Sequence, residues 1–339
     1  MRAALALAAR GLGRTWPNPA VGCVIVKDNR PIGRGWTQPG GRPHAETEAL
    51  AMAGAATAGA TAYVTLEPCS HHGKTPPCAE ALIAGKVARV VTACGDPDER
   101  VSGRGLAMLR NAGIQVTDGV LATEAERLNA GFLKRVREGL PLVTLKLATT
   151  LDGKIATGTG ESQWITGPQA RRHGHYLRAT HDAIVVGRGT AEADNPSLTC
   201  RLPGLEDRSP VRVVLDSQER LPQTLEMFTD GAASTWHLTS RNLRQDPTSR
   251  IDPHTAMAYL AKQGITRVLV EGGGELAASL LKADLVDRIA WFRAPCIIGA
   301  DGLPGIADLS VSRIADMRRF ASIELRQLGD DVLETYERL

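Results

Sequence analysis

Residues 65–78 read TLEPCSHHGKTPPC, which places two thiols, two imidazoles and three prolines within fourteen residues. Three interpretations are open: a disulfide loop, a structural metal site, or part of a catalytic site. The chain has only six cysteines in 339 residues, and its start, MRAALALAAR, is more typical of a first helix than of an export signal. Sparse cysteines in such a chain favour free thiols or metal ligands, so the disulfide interpretation is the weakest.

A second stretch upstream, PHAETEAL at 43–50, adds a histidine and a glutamate. Side chains two residues apart on a regular helix point to different sides. His44 and Glu46 therefore converge on one centre only if His44 lies at the start of the helix, and Pro43 supports a start there. Glu46, close to a metal but not bound to it, would be a proton carrier.

The two cysteines lie at the ends of secondary-structure elements. Cys69 follows a strand end, and Cys78 follows two prolines and precedes the helical run AEALIAG. Proline favours the first helical position, so Cys78 is expected in a first turn, where the helix dipole lowers a thiol pKa. With His44 they predict three zinc ligands, a number that leaves one coordination position open, as in catalytic sites.

His-x-Glu followed by Pro-Cys and a second cysteine is the signature of zinc nucleobase deaminases, although eight residues separate the cysteines here instead of two. The alternative is a closed Cys2His2 site in which His71 or His72 replaces His44. Such sites usually space each ligand pair by two to four residues. Exposure to solvent and a substrate-facing role are both open for these two histidines.

Short β-rich runs alternate with helical patterns along the whole chain, which predicts an α/β fold. Expected strands include 20–26, 60–66 and 88–94, and later 141–148, 182–187 and 267–270. A polar helical stretch ends at Gly139 and Pro141. We therefore expect two α/β domains, 1–117 and 141–339, joined by a connector at 118–140.

Composition limits the partners. The chain is 43% apolar and 23% charged, and no apolar run approaches the roughly 20 residues of a membrane helix. Residues 1–117 carry 13 Lys/Arg against 8 Asp/Glu, and the remainder carries 27 against 29. The basic residues are scattered, which fits a phosphorylated small substrate better than a nucleic-acid track. We expect a cytoplasmic protein with no nucleic-acid or membrane partner, and a homo-oligomer stays open.

The run LVEGGGELAASLL at 269–281 joins a strand to a helix through three glycines. Glycines let the backbone approach phosphates closely, and the free N–H groups of a helix start bind them. The run lacks the G-x-G-x-x-G fingerprint, which argues against a standard Rossmann cofactor site. A simple turn is the alternative.

Three motifs in order, PNPAVGCVIV (17–26), GGRPHAETEAL (40–50) and TLEPCSHHGKTPPC, resemble the bifunctional riboflavin-biosynthesis deaminase–reductases. GESQWITG (160–167), VVGRGTAEADNPSLTCR (185–201) and LVEGGGELAASLL resemble the reductase half of that family. The long insertion between the cysteines is normal there. The resemblance implies a cytidine-deaminase-like α/β/α domain followed by a dihydrofolate-reductase-like α/β domain.

The resemblance also implies a reaction and its cofactors. A zinc ion (Zn2+) would serve hydrolytic deamination of 2,5-diamino-6-ribosylamino-4(3H)-pyrimidinone 5′-phosphate. NADPH would then reduce the ribosyl to a ribityl chain, giving 5-amino-6-(5-phosphoribitylamino)uracil. Both steps act on a phosphorylated pyrimidine.

Site residues follow from the same motifs. The zinc ligands fall on His44, Cys69 and Cys78, the proton carrier on Glu46, and a substrate contact on Asn18. The implied NADPH contacts are Ala148, Trp164, Thr190, Asp194, Ser217, Gly273, Gly274, Glu275 and Leu276. The implied contacts of the reductase substrate are Ser162, Arg178, Leu198, Arg201 and Glu271.

Other interpretations stay open for several of these residues. Asn18 is also a common turn residue, Arg178 could lie on a solvated helix face, and Trp164 could be core. Lys146 and Asp152, in LKLATTLDGK, are expected on or just after a strand near the cleft, and a structural role is open for both. If the arginines face the cleft, they suit a phosphate, which arginine grips with two parallel hydrogen bonds.

Two rival functions differ in what they predict. One is a zinc deaminase of another base, including a base in tRNA, with an unrelated second domain. The other is a zinc-stabilised binding module without chemistry, which predicts a closed four-ligand metal site.

Overall fold

The computed structural model describes residues 1–72, 76–98, 101–246 and 248–339. These residues form two compact units, Met1–Leu140 and Pro141–Leu339. Each unit has its own mixed sheet, so the expected α/β class is confirmed. Within the described ranges, none of the helices is both long and apolar enough to cross a bilayer.

The first unit is built on a five-stranded sheet with the order β2-β1-β3-β4-β5. Strand β1 pairs antiparallel with β2 and β3, whereas β3, β4 and β5 run parallel. The strands are β1 Gly22–Lys27, β2 Arg30–Trp36, β3 Thr61–Leu66, β4 Arg89–Cys94 and β5 Gln115–Thr117. The helices are α1 Arg2–Ala8, α2 Ala45–Ala53, α3 Cys78–Ala84, α4 Arg104–Asn111 and α5 Ala122–Glu138.

Two helix starts position the first site. Helix α2 begins at Ala45 with His44 as its N-cap, and α3 begins at Cys78 with Pro77 as its N-cap. The parallel strand β3 ends at Leu66, shortly before Cys69. Because crossover helices start at the carboxyl edge of the parallel strands that precede them, this edge is where the potential ligands meet.

The expected connector at 118–140 is corrected by the structure. It contains α5, and it belongs to the first unit. The buried side chain of Asn129 explains why: its Oδ1 accepts from the Ala20 backbone N–H at 3.0 Å, and its Nδ2 donates to the Ala20 carbonyl at 3.0 Å. The polar helix α5 is thus attached to the unit by the hydrogen bonds of Asn129 and by packing of Ala125 and Phe132 against the core.

The second unit has an eight-stranded sheet with the order β10-β9-β8-β11-β6-β12-β15-β14 and a two-stranded ribbon of β7 and β13. Its strands are β6 Leu142–Thr149, β7 Lys154–Ala156, β8 Ala183–Gly187, β9 Val211–Leu215, β10 Thr235–Leu238, β11 Arg267–Val270, β12 Arg288–Arg293, β13 Leu303–Pro304, β14 Phe320–Leu328 and β15 Asp331–Arg338. Its helices are α6 Pro168–Ala179, α7 Arg188–Asp194, α8 Glu226–Thr229, α9 Pro253–Lys262 and α10 Gly274–Lys282.

The strands from β10 to β12 in this order are parallel, and only β15 and β14 run antiparallel to their neighbours. The carboxyl end of β8 leads directly into α7, and β11 leads into α10 through residues 271–273. This edge therefore collects the starts of two helices, the kind of place where α/β sheets bind ligands.

Candidate active sites

The three expected metal ligands meet in the first unit. The ligand atoms of His44, Cys69 and Cys78 all lie within 4.8 Å of one another. His44 Nδ1 is 3.2 Å from Cys78 Sγ and 3.7 Å from Cys69 Sγ. One imidazole nitrogen and two thiol sulfurs form a donor set that suits zinc, so the residues fit this metal.

The two thiols influence each other. Cys78 donates to Cys69 from its side chain and, at 3.2 Å, from its backbone N–H, and this lowers the pKa of Cys69 to about 4. The same side-chain interaction, together with burial, raises the pKa of Cys78. The lowered pKa expected at Cys78 is found at Cys69 instead, because Cys69 accepts hydrogen bonds from the Cys78 side chain, from His44 and from the Cys78 backbone N–H. A thiolate is the form that binds a metal ion.

Glu46 lies beside these ligands in the first turn of α2 and is only 4% exposed. Burial raises the pKa of its carboxyl group to about 7, and the negative charge of Cys69 adds to the increase. A carboxyl group with a pKa near 7 can both accept and release a proton near neutral pH.

A cavity of about 300 Å³ opens on this cluster. Its lining includes His44, Glu46 and Cys69 together with Asn18. The Asn18 amide packs against Gly41, which has a φ of 84° and no space for a Cβ atom. Asn18 is therefore held at the cavity wall.

The closed Cys2His2 interpretation is not supported by the described residues. The metal-capable cluster found there holds three side chains, and neither His71 nor His72 belongs to it. His72 is 73% exposed and lies 3.5 Å from Glu80. His71 lines the cavity, so the two neighbours differ in their surroundings.

Sequence reasoning missed further residues of this site. The cavity also contains Asp96 and the α5 residues Phe132, Arg135 and Val136. Burial raises the pKa of Asp96 to about 6. Asp96 follows the end of β4, and a polar residue just after a parallel strand is a signal that was present in the sequence. Nothing local marks the α5 residues.

Glu67 was also missed, although it belongs to the quoted motif. Its buried carboxylate accepts from the backbone N–H groups of Gly103 at 3.0 Å, Gly105 at 2.9 Å and Leu106 at 3.3 Å. A carboxylate at a helix N-terminus satisfies free N–H groups and favours the helix dipole. Glu67 thereby fixes the start of α4 beside the cavity.

In the second unit, the glycine run lies at the sheet edge with two helix starts. The Gly273 N–H donates to Thr190 Oγ1 at 3.1 Å, which brings α7 next to α10. Gly187 and Gly273 are the N-caps, and neither helix receives a side-chain cap. A Cβ atom on Gly274 would lie 2.6 Å from the Pro304 carbonyl oxygen. The glycine at 274 is thus explained by packing inside the protein. The two helix starts without side-chain caps fit a phosphate-bearing cofactor such as NADPH.

A cavity of about 500 Å³ lies in the same unit. Many of the implied reductase contacts line it: Ala148, Trp164, Asp194, Arg178, Leu198, Arg201 and Glu271. The others do not line it. Thr190 and Gly273–Leu276 lie at the glycine edge, Ser217 follows β9, and Ser162 precedes Trp164 by two residues.

Arg178 lies inside the cavity wall, so the solvated-face interpretation is wrong. Its side chain is 14% exposed, and its Nε and Nη2 donate to the two oxygens of Glu271 at 2.8 and 3.0 Å. Its Nη1 donates to the Thr199 carbonyl at 2.9 Å. The edge with which Arg178 would grip a phosphate is therefore occupied by Glu271, and Arg201 is the arginine that stays exposed at the cavity.

Glu271 forms ion pairs with two positively charged side chains, Arg178 and Lys146. Burial would raise the pKa of Glu271, but Arg178 and Lys146 outweigh it and lower this pKa to about 2. Lys146 Nζ lies 3.5 Å from the Glu271 carboxylate and also lines the cavity. Lys146 therefore belongs to the cleft.

The structure also decides between the open interpretations of Trp164 and Asp152. Trp164 is 66% exposed and lies under the Arg171 guanidinium at 4.7 Å, so it is not a core residue. Asp152 accepts from the backbone N–H groups of Ile298 and Gly299 at 3.3 and 2.8 Å. Asp152 thus holds the loop after β12.

Comparison with known families defines the class of protein. Residues 1–94 match the cytidine and deoxycytidylate deaminase zinc-binding region, and residues 141–333 match the RibD C-terminal domain. The chain therefore joins a zinc-dependent deaminase to a reductase. A deaminase with an unrelated second domain is excluded, and so is a binding module without chemistry.

Full-length relatives agree with both matches. The riboflavin biosynthesis protein RibD of Escherichia coli (strain K12) is 45% identical over 98% of this chain and 96% of its own length. The protein of the same name from Bacillus amyloliquefaciens is 43% identical over 98% of this chain and 94% of its own length.

Solved structures agree as well. Acinetobacter baumannii RibD is 40% identical with a TM-score of 0.90, and covers 100% of this chain and 97% of its own. A diaminohydroxyphosphoribosylaminopyrimidine deaminase/5-amino-6-(5-phosphoribosylamino)uracil reductase from Thermotoga maritima is 37% identical with the same TM-score and the same coverage. The chain belongs to the RibD family of bifunctional riboflavin-biosynthesis deaminase–reductases, whose cofactors are zinc and NADPH.

Proposed function

We propose that the first unit hydrolyses the 2-amino group of 2,5-diamino-6-ribosylamino-4(3H)-pyrimidinone 5′-phosphate, and that the second unit then reduces the ribosyl to a ribityl chain. The observation that carries this proposal is that each unit has its own cavity. The first opens on the His44–Cys69–Cys78 cluster, and the second is lined by Glu271, which directly precedes the glycine run 272–274. The likeness to the Thermotoga maritima enzyme supports the choice of substrate.

His44, Cys69 and Cys78 would hold the zinc ion. Zinc in such a site supplies a Lewis acid that makes water nucleophilic near neutral pH. Glu46 would take a proton from the attacking water and deliver it to the departing amino group, which leaves as ammonia. Asn18, at the wall of the same cavity, would orient the pyrimidine.

In the second unit, the starts of α7 and α10 would bind the phosphates of NADPH, with Thr190, Ser217 and Gly273–Leu276 around them. Ala148, Trp164 and Asp194 would contact the part of the cofactor that reaches the cavity. When bound, NADPH would supply the hydride for this reduction.

The reductase substrate would lie against Leu198, Arg201 and Glu271, with Ser162 nearby. Arg201 would bind its phosphate, and Arg178 would act by holding Glu271 in place. The six cysteines are all free, which supports the cytoplasm as the compartment.

The test is a two-step assay on the purified full chain. With the diaminopyrimidinone phosphate and no NADPH, we expect ammonia release without reduction, and added NADPH should then be oxidised. Cys69→Ser should abolish ammonia release and lose zinc, whereas Cys296→Ser, an exposed cysteine of the second unit, should change neither. Failure of the wild-type chain to release ammonia would contradict the proposal.

A further inference from the structure

His175 lies in the wall of the reductase cavity. It is part of α6, one turn before Arg178, and its side chain is half-buried. Both His175 and Arg201 line the cavity. The hydrogen bonds around its ring determine which nitrogen carries the proton.

One ring nitrogen of His175 lies next to both a hydrogen-bond acceptor and a hydrogen-bond donor. Nδ1 lies 3.1 Å from the Thr199 carbonyl oxygen, which accepts, and 3.2 Å from the Arg201 backbone N–H, which donates. A single nitrogen cannot donate to the first and accept from the second. The Thr199 carbonyl already accepts from Arg178 Nη1 at 2.9 Å.

The proton is therefore assigned to the other nitrogen. In the described part of the chain, no second acceptor is recorded for the Arg201 N–H. With Nδ1 unprotonated, the Arg201 N–H and the Thr199 carbonyl both have a partner. The neutral ring then carries its proton on Nε2.

The surroundings of the ring favour its neutral form. Burial lowers the pKa of His175, and the positive charges of Arg178 and Arg201 lower it further. The ring therefore stays neutral near neutral pH. Among the described residues no acceptor is recorded for Nε2–H.

We propose that the Nε2–H of His175 is a substrate-binding donor that contacts a phosphate oxygen of the reductase substrate next to Arg201. This inference rests on the proposed reductase function. His175 receives the backbone N–H of Arg201, so the two residues are neighbours in the cavity wall. Because Arg178 is engaged with Glu271, a donor on the neighbouring His175 would complete a phosphate site next to Arg201.

Two substitutions separate the two ring nitrogens. His175→Asn places an oxygen near Nδ1, so it can still accept from Arg201 but has no donor at the Nε2 position. His175→Gln places an amide N–H near Nε2 and loses the contact with Arg201. Steady-state NADPH oxidation by the full chain should show KM for the phosphorylated substrate raised about tenfold or more in His175→Asn, the size typical of a lost hydrogen bond to a charged group.

His175→Gln should recover most of that loss. The increase should vanish with the dephosphorylated ribosylamino compound, and NADPH binding measured by fluorescence should not change. His254→Asn, a histidine on α9 whose Nε2 contacts the Ala283 carbonyl, is the matched control and should behave as wild type.

If the wild-type chain oxidises NADPH, three results would overturn the assignment of His175 Nε2–H as a substrate-binding donor. They are an unchanged KM in His175→Asn, an equal increase with the dephosphorylated compound, and a defect in His175→Gln alone, which would limit His175 to anchoring Arg201. No NADPH oxidation by the wild-type chain would instead overturn the proposed function, and this assignment with it.

Discussion

The surroundings of Glu46 change the pKa of its carboxyl group. A glutamate in water is ionised at neutral pH, but burial beside Cys69 raises its pKa to about 7. Its position depends on His44 as the N-cap of α2, because only there can side chains two residues apart reach one centre. The sequence predicted this pair from Pro43 and the spacing alone.

Replacing this carboxyl group should separate metal binding from chemistry. In Glu46→Gln, the zinc content should stay at one per chain, because none of the three ligands changes. Deamination should fall by at least ~10²-fold, as is typical for a lost general acid–base. Metal analysis and an ammonia assay on the same preparation measure both effects. Glu48→Gln, two residues further on α2, serves as the control, and near-normal turnover in Glu46→Gln would show that another group moves the proton.

The pKa of Glu271 is shifted in the opposite direction, and this shift predicts how the stability of the second unit depends on pH. Its pKa falls from a usual value of 4.5 to about 2 in the folded chain. A lowered pKa contributes stability above pH 4.5, and this contribution is lost as the pH falls towards 2. Glu271→Gln should cost the second unit about 3 kcal/mol at pH 7, since one partner of a buried ion pair is removed.

The difference in free energy of unfolding between wild type and Glu271→Gln should shrink towards zero near pH 2. Urea unfolding across a pH series measures it. Glu275→Gln is the matched control, because the Glu275–Arg250 pair is exposed and contributes little. A difference that does not change with pH would contradict the ion-pair explanation.

At the scale of elements, local signals predicted the starts of α2 and α3 and most strands that carry the sites. They failed for α5, whose polar surface indicated a connector. What places α5 is a contact between residues 109 positions apart, Asn129 and Ala20, and no local pattern contains that information. Strands β14 and β15 were likewise not predicted, since the outer residues of β14 are mostly exposed and show little hydrophobic alternation.

Removal of the Asn129 amide should therefore damage a site that it does not line. Asn129→Ala leaves the Ala20 N–H and carbonyl without their buried partners, at a cost of about 1–3 kcal/mol for each unsatisfied group. Ala20 follows Asn18 by two residues, so deamination should fall together with the thermal stability of the first unit, while NADPH oxidation is kept. Asn111→Ala, at the exposed end of α4, should change neither, and a fully stable Asn129→Ala chain would show that other contacts hold α5.

At the scale of the whole molecule, each cavity is lined by residues of one unit only. The first cavity uses residues between Pro17 and Val136, and the reductase cavity uses residues between Lys146 and Phe292. The two compact units meet in sequence at Leu140 and Pro141. The residues proposed for each chemical step therefore come from one unit.

The two activities should therefore be separable at residue 140 and not at residue 120. A fragment of residues 1–140 should bind zinc and release ammonia without NADPH, and residues 141–339 should oxidise NADPH with the deaminated compound in the presence of a zinc chelator. A fragment of residues 1–120 lacks α5, and with it Asn129 and the cavity residues Phe132 and Arg135, so it should be unstable and inactive. Circular dichroism and the two assays on all three fragments measure this. Equal deamination by the fragments 1–120 and 1–140 would show that residues 118–140 are only a connector. A folded 141–339 fragment that binds NADPH but does not reduce the substrate would contradict the prediction that the two sites are independent.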